Sequence, residues 1–217
     1  MKIILNGYKG RIGSVIYDYL YNKKYDVEGF DLDKPITDQT EFDIAIDFSS
    51  PAGALKLFYL CLEKNKPLII GTTGFSTNTI NEIKSLALER KIPIYLVSNF
   101  SLSMCGIFSL LKRLSNLYES VKIEETHHIS KKDIPSGTTL KLLSVCDKSL
   151  ARTIKVNRGN TFTYIHEITL TSKDEELIIR HKIKNKLCYA LGVEYAMHHL
   201  GFIGVREEIE DERAWYF

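Results

Sequence analysis

Over the first hundred residues, short apolar runs alternate with longer stretches whose apolar positions recur at helical spacing. Residues 2–6 (KIILN), 26–31 (DVEGFD), 43–48 (DIAIDF), 67–71 (PLIIG) and 93–97 (PIYLV) read as strands. Several are apolar without alternation, the pattern of strands covered on both faces. Residues 11–22, 52–65 and 77–91 read as helices; in the last, Ile80, Ile83, Leu86 and Ala87 form one stripe. Strand and helix alternating in this way predict parallel βαβ units.

Beyond Phe100 the rhythm changes. The pattern predicts a helix over 104–118, a strand through SVKIEETHH (120–128), a helix over 137–150, and two strands over 161–170 and 176–184 joined by the turn SKDE. That order fits a mixed or antiparallel sheet with helices on one face. The stretch 186–200 is amphipathic again and is placed to return to the first domain. The expected fold class is α/β: a Rossmann-like dinucleotide-binding domain and a smaller α+β domain with a mixed or antiparallel sheet. The expected boundaries are 1–101, rejoined by 187–217, and 102–186.

Composition narrows the partners. Twenty-nine Lys and Arg against 27 Asp and Glu leave a charge of +2, too balanced for a continuous basic face, so nucleic acid is not expected. No apolar run approaches the roughly 20 residues that cross a bilayer, and the apolar tetrapeptide before Asn6 is too short for a signal-peptide core. A cytoplasmic protein without membrane contact is the expectation. Cys61, Cys105, Cys146 and Cys188 are widely spaced and form no C-x-x-C pair, which fits buried reduced thiols better than a zinc or disulfide framework.

Candidate chemistry begins at LNGYKGRIGSV, which follows the first strand and opens the first helix. Gly7, Gly10 and Gly13 allow backbone N–H groups to approach a pyrophosphate at a helix N-terminus, although a tight turn without ligand would carry the same spacing. Asp31, at the end of the second strand, suits the adenosine ribose hydroxyls. Lys9, Arg11 and Lys34 lie near enough in sequence to pair with a 2′-phosphate, so NADH and NADPH both remain open. GTTGF (71–75) and VSNFS (97–101) follow the fourth and fifth strands, at the edge where open parallel sheets bind ligands. Thr72, Thr73, Ser98 and Asn99 there offer neutral groups suited to a carboxamide.

The densest chemistry lies in EETHHISKKDIPSGTTL, residues 124–140. Strand alternation sends Val121, Ile123, Glu125 and His127 to one face and Lys122, Glu124, Thr126 and His128 to the other. Adjacent histidines therefore do not chelate one metal, and no metal site is expected. Pro135, Ser136, Gly137 and Thr138 form a turn into a helix, with Ser136 a candidate N-cap. Within a dozen residues the segment supplies a titratable acid, a fixed cation at Lys131, and N–H groups for a carboxylate.

Together GYKGRIG, IDFSSP, GTTGF, NFS and THHISKKDIPSGT resemble, in order and over nearly the whole chain, the dihydrodipicolinate (4-hydroxy-tetrahydrodipicolinate) reductase family, whose signature E-x-x-H-H-x-x-K-x-D-x-P-S-G-T is met from Glu124 to Thr138. The resemblance implies an NADH- or NADPH-dependent oxidoreductase of lysine and diaminopimelate biosynthesis, a homotetramer acting on a small dicarboxylate. It implies His127 as general acid and Lys131 as second proton donor, with His128, Ser136, Gly137 and Thr138 on the substrate. Gly7, Tyr8, Lys9, Gly10, Arg11, Ile12, Asp31, Gly71, Thr72, Thr73, Val97, Ser98, Asn99 and Phe100 would line the cofactor. The chain departs from the usual pattern at Ser103, Cys105 and Lys186, and Arg158–Gly159 is followed by a displaced His166 rather than G-D-H. A related reductase of another small anionic imine or carbonyl compound, or a dinucleotide-binding sensor without turnover, are the alternative readings.

Overall fold

A computed structural model describes residues 1–160 and 164–209. Its chain divides into two compact units, one running from Met1 to Leu102 together with the described residues from Lys186 onward, the other from Ser103 to Asn185. The part of the expected C-terminal return over 210–217 lies outside the described residues, as do the first three residues of the strand expected over 161–170.

The first unit is built on a six-stranded sheet. Its strands are β1 (Lys2–Asn6), β2 (Asp26–Phe30), β3 (Ile44–Asp47), β4 (Leu68–Ile70), β5 (Pro93–Leu96) and β10 (Gly204–Arg206), in the order β10-β5-β4-β3-β1-β2. Every pairing is parallel. The strands alternate with α1 (Gly13–Asn22), α2 (Pro51–Lys64) and α3 (Thr77–Glu89), and α6 (Leu187–His198) returns to pack with α1. β3 and β4 are buried at every position, so continuous apolar runs were the right signal for strands with two covered faces. Ile4, Ala45, Phe58, Leu68, Ile83 and Ile94 share one core cluster. Glu194 of α6 accepts hydrogen bonds from the phenols of Tyr19 at 2.5 Å and Tyr25 at 3.0 Å, which fixes the returning helix against α1 and β2.

The second unit holds a four-stranded sheet in the order β7-β6-β8-β9: β6 (Ser120–His128), β7 (Ala151–Gly159), β8 (Tyr164–Thr171) and β9 (Glu176–Ile183). β6 pairs parallel with β7 and antiparallel with β8, and β8 pairs antiparallel with β9. Met104, Phe108 and Leu111 of α4 (Leu102–Leu114) and Leu142 of α5 (Gly137–Val145) cover Val121, Ile123, Ile168 and Leu170 on one face.

Four boundaries differ from the sequence reading. The helix expected over 137–150 stops at Val145, and residues 151–159 form β7, whose first five residues are all exposed. An edge strand with little burial has no apolar alternation to reveal it. β10 is three residues long, too short for any periodicity, and the helix expected to 118 ends at Leu114 in a 3-10 turn over Ser115–Leu117.

The start of α2 was written in IDFSSP. Ser50 takes the N–H of Gly53 on its side chain at 3.2 Å, and Pro51 occupies the first helical turn, where a missing N–H costs nothing. Ser50→Ala should therefore lower unfolding free energy by about 1 kcal/mol, read from urea denaturation midpoints at constant slope.

Candidate functional site

At the carboxyl edge of the first sheet, β1 runs straight into the glycine loop. Gly7 has φ +78°, and a Cβ there would lie 2.6 Å from the Phe48 carbonyl oxygen. A Cβ on Gly13 would lie 2.1 Å from the Gly7 carbonyl oxygen, so α1 can begin this close to the loop only with glycine at both places. Ile12 offers α1 no side-chain cap, which leaves the first turn of the helix facing the loop without an internal anion.

Gly7, Gly10, Asp31, Ser49 and Lys56 line a cavity of about 700 Å³. Asp31 is held there by the backbone N–H groups of Leu32 at 2.8 Å and Lys9 at 3.2 Å. Lys9 ion-pairs with Asp33 at 2.5 Å, and Lys34 with Glu28 at 2.8 Å while lying over the Phe30 ring. Tyr8 leans on the Tyr17 ring, Ile12 is half-buried and Arg11 is exposed.

The two later loops meet the first through Asp47, a fully buried carboxylate at the end of β3. It accepts from Asn6 Nδ2 at 2.7 Å, Ser49 Oγ at 2.8 Å and Thr72 Oγ1 at 2.5 Å. The ends of β1, β3 and β4 are thereby tied to one group. Burial pushes Asp47 up from the usual carboxylate range, against the pull of those hydrogen bonds. The Gly71 N–H donates to the Asp47 carbonyl and the Val97 N–H to Ile70, fixing both loop entries. Thr72, Val97, Asn99 and Phe100 are buried, Thr73 and Ser98 are half-buried, and Phe100 packs on Phe48. Asn99 Oδ1 accepts from the Ser101 N–H at 2.9 Å. A glycine cradle, a helix N-terminus without a cap and a carboxylate in the same cavity fit an adenine dinucleotide.

In the second unit β6 separates its histidines as alternation requires. His127 is 4% exposed on the inner face, with Glu125 two residues away at 0%. Glu125 accepts from the Ser136 N–H at 3.0 Å, Thr139 Oγ1 at 2.5 Å and Arg158 Nη2 at 2.7 Å. Its Oε1 lies 3.7 Å from His127 Nδ1. Burial works against the Glu125 charge, yet the nearby His127 ring and the bonds from Ser136, Thr139 and Arg158 outweigh it and hold the carboxyl far below its ordinary range.

His166 of β8 meets His127 edge to face with centroids 5.1 Å apart, and Tyr164 stands at 5.5 Å. His127 Nδ1 and His166 Nδ1 are buried without a hydrogen bond. Glu125, His127 and His166 each bring one ligand atom within 4.8 Å of the others. Glu125 already accepts from N–H and O–H donors that include a guanidinium, so a cation at this point would face Arg158. The cluster suits proton handling better than metal binding.

Lys131 is gripped by both Asp133 oxygens, at 2.8 and 2.9 Å, and the Gly137 N–H reaches Asp133 Oδ2 at 3.4 Å. Burial works against the Asp133 charge, but the Lys131 ammonium prevails and holds the carboxyl below its usual range. Arg158 Nη2 also donates to the Asp133 carbonyl at 2.9 Å. Ser136 caps α5, its Oγ accepting from the Thr139 N–H at 3.2 Å, so its polar atoms serve the turn itself. Thr138 is buried in the first turn. His128, half-buried on the other face, accepts the Ser130 N–H on Nδ1 at 3.1 Å, which assigns its proton to Nε2 when the ring is neutral.

Glu125, Arg158 and Asp47 are the groups that residue-by-residue reading passed over as functional. The i, i+2 spacing of Glu125 and His127 on an otherwise apolar strand face was the available signal for the first.

Family models described as "Dihydrodipicolinate reductase, N-terminus" and "Dihydrodipicolinate reductase, C-terminus" match residues 1–100 and 104–208. The chain is 33% identical to the 4-hydroxy-tetrahydrodipicolinate reductase of Buchnera aphidicola subsp. Cinara cedri (strain Cc), over 70% of this chain and 64% of that one. With the enzyme of the same name from subsp. Acyrthosiphon pisum (strain APS) it shares 32% identity over 84% of this chain and 71% of the relative. The chain thus spans about two thirds of the length of these relatives. In fold it is similar to the dipicolinate-bound dihydrodipicolinate reductase from Paenisporosarcina sp. TG-14, with TM-score 0.76 and 18% identity over 96% of this chain and 97% of that one.

Burial, reinforced by the neighbouring His127, pushes the His166 imidazole down to about 3 against the attraction of Glu125. A folded-state value below the unfolded one means that the unfolded chain takes up a proton the folded chain refuses. Stability is therefore intact above about pH 6.5 and falls by about 1.4 kcal/mol per pH unit as pH drops from there toward 3. Urea unfolding at pH 7, 6, 5 and 4 should show a shallower acid decline in His166→Gln than in the parent; equal slopes would contradict this.

Proposed function

Because the chain belongs to the dihydrodipicolinate reductase family, whose members are NAD(P)H-dependent oxidoreductases, we propose that it reduces 4-hydroxy-tetrahydrodipicolinate to tetrahydrodipicolinate in lysine and diaminopimelate biosynthesis. The observation that carries this reading is the placement of His127, Lys131 and the N-terminus of α5 on one strand-loop-helix segment, braced by Glu125, Asp133 and Arg158. A cytoplasmic homotetramer is proposed with it, on the resemblance; no described helix is long and apolar enough to cross a membrane.

The dinucleotide supplies a hydride. Gly7, Gly10 and the start of α1 would hold its pyrophosphate, Asp31 its ribose, and the loops 71–73 and 97–100 its nicotinamide end. His127 gives the proton that neutralises the charge arriving on the conjugated imine. Lys131 assists departure of the 4-hydroxyl as water. The Gly137 N–H, Thr138, His128 and Lys131 hold the substrate carboxylates. Asp133 now engages both Lys131 and the Gly137 N–H, so it presents these donors as a preassembled pair that an incoming carboxylate competes for.

Lys9 and Lys34 are spent on Asp33 and Glu28, and Asp38 also lines the cavity. A 2′-phosphate would therefore meet carboxylates first, and NADH is the better fit.

With the product of the preceding synthase as substrate, kcat/KM for NADH should exceed that for NADPH by about tenfold or more, a difference of about 1.4 kcal/mol. Asp31→Ala should narrow the gap. In the same coupled assay His127→Asn should lower kcat by about 10² to 10⁴ with NADH affinity retained, and Lys131→Ala by about 10² to 10³ with a raised substrate KM. Retention of full kcat in His127→Asn would remove it from the acid role.

A further inference from the structure

A neutral imidazole with one nitrogen buried must carry its proton where the surroundings accept it. His127 turns Nδ1 inward, where it has no hydrogen bond, and the nearest acceptor is Glu125 Oε1 at 3.7 Å. Tightening by less than 1 Å would make the bond, a change ordinary for catalytic contacts when substrate enters. The groups packed against His127 are Glu125 on its own strand, Arg158 on β7, and His166 and Tyr164 on β8, and the Lys131 ammonium of the following loop acts on His166. His166 is neutral at working pH, and the Arg158 guanidinium is directed at Glu125. Glu125 is the one carboxylate among these, and its Oε1 is the acceptor that faces Nδ1 and selects a tautomer.

We propose that Glu125 is the positioning residue of this site. It holds His127 in the Nδ1–H form, so that Nε2 is the nitrogen that releases the proton to substrate, and its Oε2 ties the same acid to the carboxylate-binding turn through Ser136 and Thr139. This rests on His127 being the general acid. In the proton-transfer step Nε2–H of the imidazolium breaks, the proton joins the reduced substrate, and the ring is left neutral with its remaining proton on Nδ1 facing Glu125. No other bond changes. Because Glu125 also accepts the Ser136 N–H and the Thr139 hydroxyl, filling of the turn at Gly137 and the setting of the acid share one carboxylate. His128, one residue on, carries its proton on Nε2 instead and serves as an internal reference.

The test needs no substrate at its first stage. In the full-length protein labelled with ¹⁵N-histidine, long-range ¹H–¹⁵N spectra at alkaline pH, assigned with His127→Asn and His128→Asn, should show His127 as Nδ1–H and His128 as Nε2–H. An Nε2–H tautomer at His127 would overturn the proposal and leave its acid role standing. In Glu125→Gln, kcat/KM at neutral pH should fall about ten- to hundredfold, and the alkaline limb of its pH profile should move to lower pH, because the acid has lost its anionic partner. Glu125→Asp, which keeps the charge, should bring the decline back. A brace with no electrostatic part would lower kcat without moving that limb, so an unmoved limb in Glu125→Gln also overturns the proposal. Undiminished kcat in His127→Asn would sink the underlying acid assignment while leaving the tautomer result intact.

Discussion

A charge with no exposed surface has to be answered on every side, and Glu125 sets that condition for the second unit. Its carboxylate receives a backbone N–H and a hydroxyl from the start of α5 and a guanidinium from β7. Those three donors come from two places in the chain, and leaving any of them out would strand a buried charge. The parallel pairing of β6 with β7, the path of the loop from His128 to Ser136 and the entry of α5 therefore have one arrangement that satisfies all of them. The candidate acid, cation and anion-binding turn are laid out along that path. Arg158 tightens it by reaching the Asp133 carbonyl with the same nitrogen that reaches Glu125.

The first unit solves a related problem with neutral partners. Asp47 is equally hidden, but its donors are an amide and two hydroxyls rather than a guanidinium. The consequence is opposite in sign: burial dominates at Asp47 and raises its carboxyl, whereas the combined donors dominate at Glu125 and lower it. Asp47 is thus suited to clamping the ends of β1, β3 and β4 rather than to presenting charge. Asp31 keeps its carboxylate at the cavity wall with two backbone N–H groups to orient it.

How much of this a sequence shows depends on where the signal is local. The runs KIILN, DIAIDF and PLIIG disclose a doubly covered parallel sheet because burial on both faces writes itself as uninterrupted apolar residues. Ser50 and Ser136 disclose helix starts because capping acts over three residues. Alternation placed His127 and Glu125 on one face correctly. What it could not show is that Arg158, 33 residues on, closes on Glu125, because β7 carries that arginine on an edge strand with no apolar stripe. Its parallel pairing with β6 is non-local, and nothing within ARTIKVNRG announces it. His166, which looks displaced from a family motif, in fact faces His127 across the β6–β8 ladder. Ser103 likewise departs from the family pattern, and its hydroxyl is engaged by His181 of β9 at 3.0 Å.

Two adjacent histidines look redundant until strand geometry is imposed on them. A period of two sends one ring into the sheet's covered face and the other away from it, so neighbours in sequence acquire partners that share nothing. His127 meets a buried carboxylate and a second, neutral imidazole; His128 meets the backbone of the loop that follows. The accepting bond from Ser130 commits His128 to being a donor through Nε2, a role fit for contacting a carboxylate. His127 is left with Glu125 at its inner nitrogen. On the proposed assignment the same local pattern yields one ring for binding and one for proton transfer, and the division is made by the pleat rather than by any difference between the residues.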